Sequence, residues 1–284
     1  MNAPTKEQIK KYYSQALQRS LEAYATLSDK EWGKKAAEGW TAKDCVAHLA
    51  INQEEEINPL IRQNLAGEKP NIPGYERRSQ IDEANEARLE TVRDLPVPEL
   101  LSRLKTAVEE NLATLETLSE SDLDKPAMSP GWDRPGTVRD LFFGSYLHLP
   151  GHYQDIRRAA KKKLPHWMDA GSSDEVHFQL DRIFNYMPLI YASERGGDLR
   201  VTYLFTMEGD GGGQWWLKIN DGRAEASVGA PESFDTEIKT KPALWIDLSN
   251  NDLNPMWAIT TRKVQLGGNP ALAMKLGQLF GADS

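Results

Sequence analysis

The sequence predicts a two-domain α+β protein, with an antiparallel four-helix bundle followed by an antiparallel sheet with helices. Three observations lead to this fold class. The 284 residues exceed the common size of one domain. In the first half, apolar residues recur at intervals of three or four, which is typical of amphipathic helices. In the second half, short apolar runs alternate with glycine-rich turns, which is typical of hairpins.

Four long helices are expected in the first half of the chain. The first carries its apolar stripe on Ile9, Tyr13 and Leu17. The expected spans are 6–27, a helix from 41 that kinks or ends at Pro59, 98–118, and 137–163. A short polar helix through Ala84 and Leu89 lies between the second and third.

The starts of the second and fourth helices resemble each other. Gly39-Trp40-Thr41 precedes Asp44, and Gly131-Trp132 precedes Thr137 and Asp140. A threonine followed three residues later by an acidic residue is typical of a helix N-terminus. The echo indicates a duplicated pair of helical hairpins. We interpret both tryptophans as packing residues rather than catalytic ones.

The composition changes near residue 164. Pro165, Gly171 and two serines indicate a linker over 164–173, which separates domains at 1–163 and 174–284. A helix through Phe178 and Ile183 opens the second domain. Strands are expected at 199–207, 214–219, 224–228, 234–240 and 264–266. Segments at 242–248 and around Trp257 lie between the last two strands, and a closing helix is expected at 270–280. Because the glycines at 209–213 lack a following Gly-Lys-Ser/Thr, they predict a hairpin turn rather than a phosphate loop.

Charge and cysteine content exclude several classes of function. The net charge of −8 provides no global positive field, so we expect no nucleic-acid partner. Cys45 is the single cysteine and forms no intrachain disulfide, which favours the cytoplasm. From the sequence we expect neither a signal peptide nor a membrane-spanning segment.

Three histidines form the strongest candidate site. His148 and His152 lie four residues apart on the fourth helix, so both project from the face that carries Leu141 and Ser145. His48 occupies the corresponding stretch of the second helix. Three neutral imidazoles on facing helices would hold a divalent ion such as zinc or nickel. The alternative is that they are hydrogen-bonded core residues.

Other signals around this site are weaker. Pro150 lies between the paired histidines and predicts a kink. Asp44 and Asp155 are candidates to orient an imidazole, or are surface residues. Cys45 is a candidate soft ligand, or a small buried residue. Glu54-Glu55-Glu56 is expected to be a solvated helix face. His166 and His177 are left without a role.

The segments 39–49 and 148–156 resemble the DinB-like superfamily of metal-binding four-helix bundles, and within it the mycothiol-dependent maleylpyruvate isomerase type. The resemblance covers about residues 5–163. It implies that His48, His148 and His152 are the metal ligands and that a bacterial low-molecular-weight thiol is a cosubstrate. Members of the isomerase branch can have a carboxylate where this chain has His148. The essential second-domain arginine of that branch has no clear match here; Arg200, Arg223 and Arg262 are candidates.

The segments 216–222, 231–238, 245–248 and 264–279 are similar to the sterol-carrier-protein fold, over about residues 175–282. This resemblance implies a curved sheet, an apolar tunnel and a hydrophobic ligand. For Trp215, Trp216, Trp245 and Trp257, core packing is favoured over ligand contact.

Three functions follow from these patterns. The first is a metal-dependent thiol-using enzyme, either an isomerase or a thiol S-transferase, acting on a small anionic or hydrophobic molecule. The second is a hydrophobic-ligand carrier in which the bundle is a scaffold. The third is a metal-dependent hydrolase of unknown substrate.

Overall fold

A computed structural model describes residues 3–37, 39–161 and 163–280. The chain divides into two compact units, the first extending to His166 and the second beginning at Trp167. The first two and last four residues of the expected domains, and Lys162 at the expected end of the fourth helix, lie outside the described residues. Trp167, within the expected linker, is buried and donates a hydrogen bond to Gln179 at 2.7 Å.

The first unit is helical, with two short two-stranded ladders. Its helices and strands are α1 Lys6–Tyr24, α2 Asp29–Trp32, β1 Lys35–Ala37, β2 Trp40–Thr41, α3 Ala42–Asn52, α4 Asn58–Leu65, α5 Ile81–Glu90, α6 Val97–Thr117, α7 Glu120–Leu123, β3 Pro126–Ala127, β4 Gly136–Thr137 and α8 Val138–Ala159. The long helices α1, α3, α6 and α8 form the bundle: α1 and α3 each pack against both α6 and α8.

The apolar stripes explain this packing. Ile9, Tyr13 and Leu17 are buried on α1 as predicted. On α6, the buried face includes Leu104, Val108 and Asn111. The polar side chain of Asn111 can be buried on this face because its amide donates a hydrogen bond to Ser145 Oγ at 3.1 Å.

The two helix starts that resemble each other in sequence also share a local structure. The β1–β2 ladder leads into α3, and the β3–β4 ladder leads into α8. At both starts, a threonine side chain accepts from the aspartate amide three residues on, and the aspartate carboxylate accepts from the threonine backbone. These reciprocal caps fix the residues at which α3 and α8 begin. They therefore also fix the positions of the histidines along the two helix axes.

Replacing Thr137 by alanine is expected to lower the free energy of unfolding by about 1 kcal/mol, because the hydroxyl that caps α8 is lost. The measurement is urea unfolding followed by far-UV circular dichroism. Thr117→Ala is the matched control, since Thr117 is exposed and bonds only back to the Thr114 carbonyl. Equal effects of the two substitutions would refute the capping role.

Pro59 neither ends nor interrupts the second long helix, contrary to one sequence alternative. Between α3 and α4, residues Gln53–Ile57 form a π-helical turn, and α4 follows with Pro59 in its first turn. Proline is tolerated there because that position needs no backbone donor. Similarly, α8 continues as one helix through Pro150.

The second unit combines a five-stranded sheet with short helices. Its elements are α9 Ser173–Tyr186, α10 Ser193–Gly196, β5 Val201–Met207, β6 Gly213–Asn220, β7 Arg223–Val228, β8 Thr236–Thr240, α11 Pro242–Ser249, α12 Pro255–Thr260, β9 Gln265–Gly268 and α13 Pro270–Lys275. The strand order is β7-β6-β5-β8-β9.

The expectation of a purely antiparallel sheet is wrong at one position. β5 pairs with β8 in parallel, with Phe205 opposite Ile238, whereas the other three neighbouring pairs are antiparallel. The hairpin turns gave correct neighbours for β5, β6 and β7. The β7–β8 connection is not a hairpin, because the chain crosses β6 and β5 to place β8 on the opposite side of β5.

An aromatic cluster forms the core of the second unit. Phe184 of α9 lies 4.6 Å from Phe205, 5.1 Å from Trp215 and 5.5 Å from Trp245 between ring centroids. At the β5–β6 turn, Gly211 has a φ of +72° and a side chain there would lie 2.5 Å from the Ser173 carbonyl oxygen. The glycine cluster is therefore a hairpin turn, as predicted.

Within the described parts of the chain, no helix combines the length and apolar composition needed to cross a bilayer.

Candidate metal centre

The structure brings together the three histidines singled out in the sequence. His48 lies on α3, and His148 and His152 lie one turn apart on α8, the helix that packs against α3. The Nε2 atoms of His48 and His148 are 3.0 Å apart. Each pair of imidazole centroids lies between 4.8 and 4.9 Å apart. One ligand nitrogen from each ring lies within 4.8 Å of the other two.

Burial favours the neutral form of His48 and His148. Burial lowers the pKa of His48 well below its usual value, and the neighbouring His152, His148 and Arg88 lower it further. Burial, followed by the charge of His152, also lowers the pKa of His148. Neutral imidazole has the free nitrogen lone pair that a metal requires, so these two rings need not lose a proton before they bind a metal near neutral pH.

This donor set fits a divalent ion. Two nitrogens bound at about 2.1 Å in tetrahedral geometry lie about 3.4 Å apart, so the 3.0 Å separation of the His48 and His148 Nε2 atoms needs only a small adjustment. Three imidazoles suit zinc or nickel better than magnesium or calcium, which prefer oxygen. Three protein ligands also leave a coordination position for a small molecule.

Asp155 orients one of the three rings. Its Oδ2 lies 2.9 Å from His152 Nδ1, which directs the other ring nitrogen, Nε2, to the remaining histidines. Its Oδ1 accepts from Arg158 at 3.3 Å. Asp44, the other carboxylate considered from sequence, instead caps α3 by accepting from the Thr41 amide and hydroxyl.

Asp155→Asn is expected to weaken zinc binding by about tenfold, because a neutral amide orients and polarises His152 less well than a carboxylate. Competition with a chromophoric chelator measures the affinity. Asp44→Asn is the matched control and is expected to leave the affinity unchanged, since Asp44 contacts the helix start. Equal losses in both variants would exclude the orienting role of Asp155.

Trp40 forms a wall of the site, which the sequence did not predict. Its ring centroid lies 4.8 Å from that of His48 and 6.2 Å from that of His152. Its Nε1 donates to Glu86 of α5 at 3.0 Å. Trp132, in the equivalent position before α8, is a buried core residue as predicted. The Gly-Trp motif is the same at both helix starts, so the sequence could not show that only Trp40 lies beside the histidines.

A buried ion pair joins the π-helical turn after α3 to α5, and the sequence did not predict it. Glu56 accepts from Arg88 at 2.8 Å and from the Asn52 amide at 2.9 Å. Burial raises the pKa of Glu56 despite the neighbouring Arg88. The expectation of a solvated acidic face is therefore wrong for Glu56. The expectation of a solvated side chain is correct for Glu55, which is exposed. Glu54 forms an ion pair with Arg103.

Cys45 lies near the same cluster. It is fully buried, and burial together with Asp155 and Asp44 raises the pKa of its thiol well above the usual value. Its Sγ lies within 4.8 Å of ligand atoms of His152 and Asp155. The thiol is therefore protonated and packs as a small apolar group in this structure, while its position keeps the soft-ligand alternative open.

The remaining sequence candidates lie elsewhere. His166 is buried, with Nε2 2.7 Å from Gln154 Nε2, and His177 Nδ1 is 3.2 Å from the Gly212 carbonyl oxygen. Neither joins the three histidines. The three arginines considered for anion binding, Arg200, Arg223 and Arg262, are exposed on the second unit, and Arg200 pairs with Asp221 at 2.7 Å.

The second unit contains an apolar cavity of about 280 Å³. Its lining includes Ile238, Trp245, Leu248, Leu266 and Phe280. The predicted core role holds for Trp215, which is completely buried, and for Trp245, which is 7% exposed and packs on Phe184 while one side of it lines the cavity. Trp257 is 46% exposed.

Comparisons with known proteins agree with this architecture. The SCP-2 sterol transfer family model matches residues 192–281. A hydroxysteroid dehydrogenase-like protein 2 from Pongo abelii is 28% identical over 82 residues. That match covers 28% of this chain and only 20% of the relative's length.

Solved structures share the two-part fold. The crystal structure of the mycothiol-dependent maleylpyruvate isomerase matches with a TM-score of 0.58 and 13% identity, over 87% of this chain and 90% of that chain. A histidine-to-alanine mutant of that enzyme matches with a TM-score of 0.55 and 12% identity over the same shares. The DinB superfamily model matches residues 12–156, which include all three clustered histidines. The chain therefore belongs to the DinB superfamily.

Proposed function

We propose that His48, His148 and His152 hold a divalent ion, zinc or nickel, in a metal-dependent enzyme that uses a low-molecular-weight thiol as an isomerase or thiol S-transferase. The observation that carries this proposal is the convergence of three imidazole nitrogens within 4.8 Å. The fold likeness to a thiol-dependent isomerase supports the choice of thiol chemistry.

A bound divalent ion would supply Lewis acidity that lowers the pKa of a thiol and favours the nucleophilic thiolate. The protein residues have separate tasks. Three neutral imidazoles bind without introducing negative charge. Asp155 fixes the orientation of His152, and Trp40 covers His48 and limits its access to water. These residues prepare a partly enclosed site for a small molecule.

Cobalt substitution tests this proposal through visible absorption. We expect the protein to bind one cobalt ion per chain and the addition of 2-mercaptoethanol to produce a sulfur-to-cobalt charge-transfer band. The matched control uses 2-methoxyethanol, which lacks the thiol. Absence of cobalt binding would refute the metal site. Cobalt binding without a response to mercaptoethanol or other small thiols would refute thiol use and favour the metal-dependent hydrolase.

A second candidate function belongs to the C-terminal unit, where we propose binding of a hydrophobic ligand. Its 280 Å³ apolar cavity supports this, and so does Trp245, whose buried Nε1 has no hydrogen-bond partner among the described residues. A ligand with an apolar body and one acceptor oxygen would suit both features. The SCP-2 family match over this region agrees with such a ligand.

Filling the cavity tests the carrier function. Ala273→Phe, at the cavity lining, is expected to weaken binding of a fluorescent fatty acid by at least about tenfold, because the larger side chain occupies the ligand volume. Ala271→Phe is the control, since Ala271 is exposed and does not line the cavity. No binding by the unmodified protein, together with an organic extract free of lipid, would refute this function.

A further inference from the structure

A buried polar stripe extends from the histidine cluster along α3 and the π-helical turn. His48, Asn52 and Glu56 follow at intervals of four residues and are 3%, 6% and 8% exposed. Asn52 donates to Glu56 Oε2 at 2.9 Å. Arg88 of α5 donates to Glu56, so the amide and the carboxylate that follow His48 are in contact with a guanidinium from a second helix.

Arg88 has an unused donor in this buried setting. The residue is 8% exposed. Its Nη1 donates to Glu56 Oε2 at 2.8 Å and to Asn85 Oδ1 at 3.2 Å. Its Nη2 is buried and has no hydrogen-bond partner among the described residues. A buried charged donor without an acceptor costs free energy, so a ligand that supplies the acceptor would recover that cost on binding.

The helix that carries Arg88 also contacts the wall of the candidate metal site. The same helix, α5, provides Glu86, which accepts from Trp40 Nε1 at 3.0 Å, and Trp40 packs on His48 and His152. Helix α5 therefore anchors Trp40, the wall of the histidine cluster, through Glu86, and it also carries the buried Arg88.

Charge accounting identifies the ligand class. Arg88 and Glu56 form an ion pair, Asp155 is paired with Arg158, and imidazoles that bind a metal through a nitrogen lone pair add no negative charge. A divalent ion there would leave the local site with a charge near +2. A small molecule with two negative groups, such as a thiolate and a carboxylate, is the electrostatic complement.

We propose that Arg88 Nη2 receives a carboxylate oxygen of the small molecule bound at the histidine cluster, which makes Arg88 a specificity-determining residue for anionic ligands. This inference rests on the proposed metal and thiol function, because the ion provides the second anchoring point. Arginine suits the role because its planar guanidinium donates to Glu56 and to a ligand from different nitrogens.

The test compares two thiols on the cobalt-substituted protein. We expect 3-mercaptopropionate to bind about tenfold more tightly than 2-mercaptoethanol, because only the former carries a carboxylate for Arg88. In Arg88→Met, the ratio of the two dissociation constants is expected to fall to about one. A wild-type ratio near one, or a preference retained in Arg88→Met, would overturn the proposal.

Two further variants test whether a loss of carboxylate preference in Arg88→Met could instead come from a change in the local structure. Arg103→Met removes an arginine that is fully engaged by Glu54 of the same π-helical turn, and should retain the preference for the carboxylate. The double variant Arg88→Met/Glu56→Gln avoids leaving a buried carboxylate without its partner, and should lose the preference while remaining folded. Loss of preference in Arg103→Met as well would assign the effect to the turn rather than to Arg88.

A separate measurement distinguishes failure of this inference from failure of the proposed function. If no thiol changes the cobalt spectrum, thiol use is wrong, and Arg88 is then tested with propionate in the zinc-loaded protein. At constant ionic strength, propionate should shift the Trp40 indole NMR signal in the wild type and not in Arg88→Met. No propionate-dependent shift in the wild type would overturn the assignment of Arg88.

Discussion

Replacing His148 by alanine is expected to lower the zinc content of the zinc-reconstituted protein from about one ion per chain to below about 0.1. The substitution removes the ring whose Nε2 lies 3.0 Å from His48 Nε2, leaving two imidazoles and a cavity between α3 and α8. Two ligands hold zinc far more weakly than three, and water would complete the coordination. The loss should exceed the tenfold effect expected for Asp155→Asn.

Elemental analysis by mass spectrometry after gel filtration measures this loss directly. His177→Ala is the matched control: it removes a histidine from the second unit, where the ring contacts Trp215 rather than the other imidazoles. Circular dichroism must show that both variants retain the helical content of the wild type. Full zinc occupancy in a folded His148→Ala protein would exclude this histidine as a ligand.

Replacing Phe205 by alanine is expected to lower the free energy of unfolding of the second unit by about 3–5 kcal/mol. Phe205 is completely buried on the central strand β5 and contacts Phe184, Trp245 and Tyr203. Truncation leaves a cavity between three large rings that cannot collapse onto a methyl group. The cost combines lost burial with lost packing.

Hydrogen exchange of the β5 amides provides the measurement, because it reports on the second unit without contribution from the bundle. Phe234→Ala is the control: this phenylalanine is 43% exposed, so its removal should change stability by less than about 0.5 kcal/mol. A loss below about 1 kcal/mol in Phe205→Ala would mean that the aromatic cluster is not the core of this unit.

Local sequence signals predicted the elements and the histidine cluster for physical reasons. Thr41 with Asp44, and Thr137 with Asp140, determine helix starts through contacts three residues apart. The four-residue spacing of His148 and His152 places both rings on one face of α8. Because the two histidines share this face with Leu141 and Ser145, the sequence also predicted that the rings point into the bundle. These inferences depend on geometry within one helix, which sequence spacing determines.

The parts that sequence did not reveal depend on contacts between distant segments. Glu56 looks like one member of a solvated acidic run until Arg88, thirty-two residues later, is placed against it. Trp40 and Trp132 have matching local motifs, but only Trp40 meets the histidines. The parallel β5–β8 pairing likewise depends on a crossing that no turn residue specifies. Single-sequence reasoning has no measure of such long-range proximity.

The π-helical turn at Gln53–Ile57 has a consequence for how this chain can change over evolution. Such a turn contains one residue more than the α-helical ladder requires, so it absorbs a single insertion locally. The rotation of α4 about its axis is therefore independent of that of α3. Substitutions or a length change within this turn can change the direction of the Glu56 side chain, and with it the position of Arg88, while α3 and His48 stay in place.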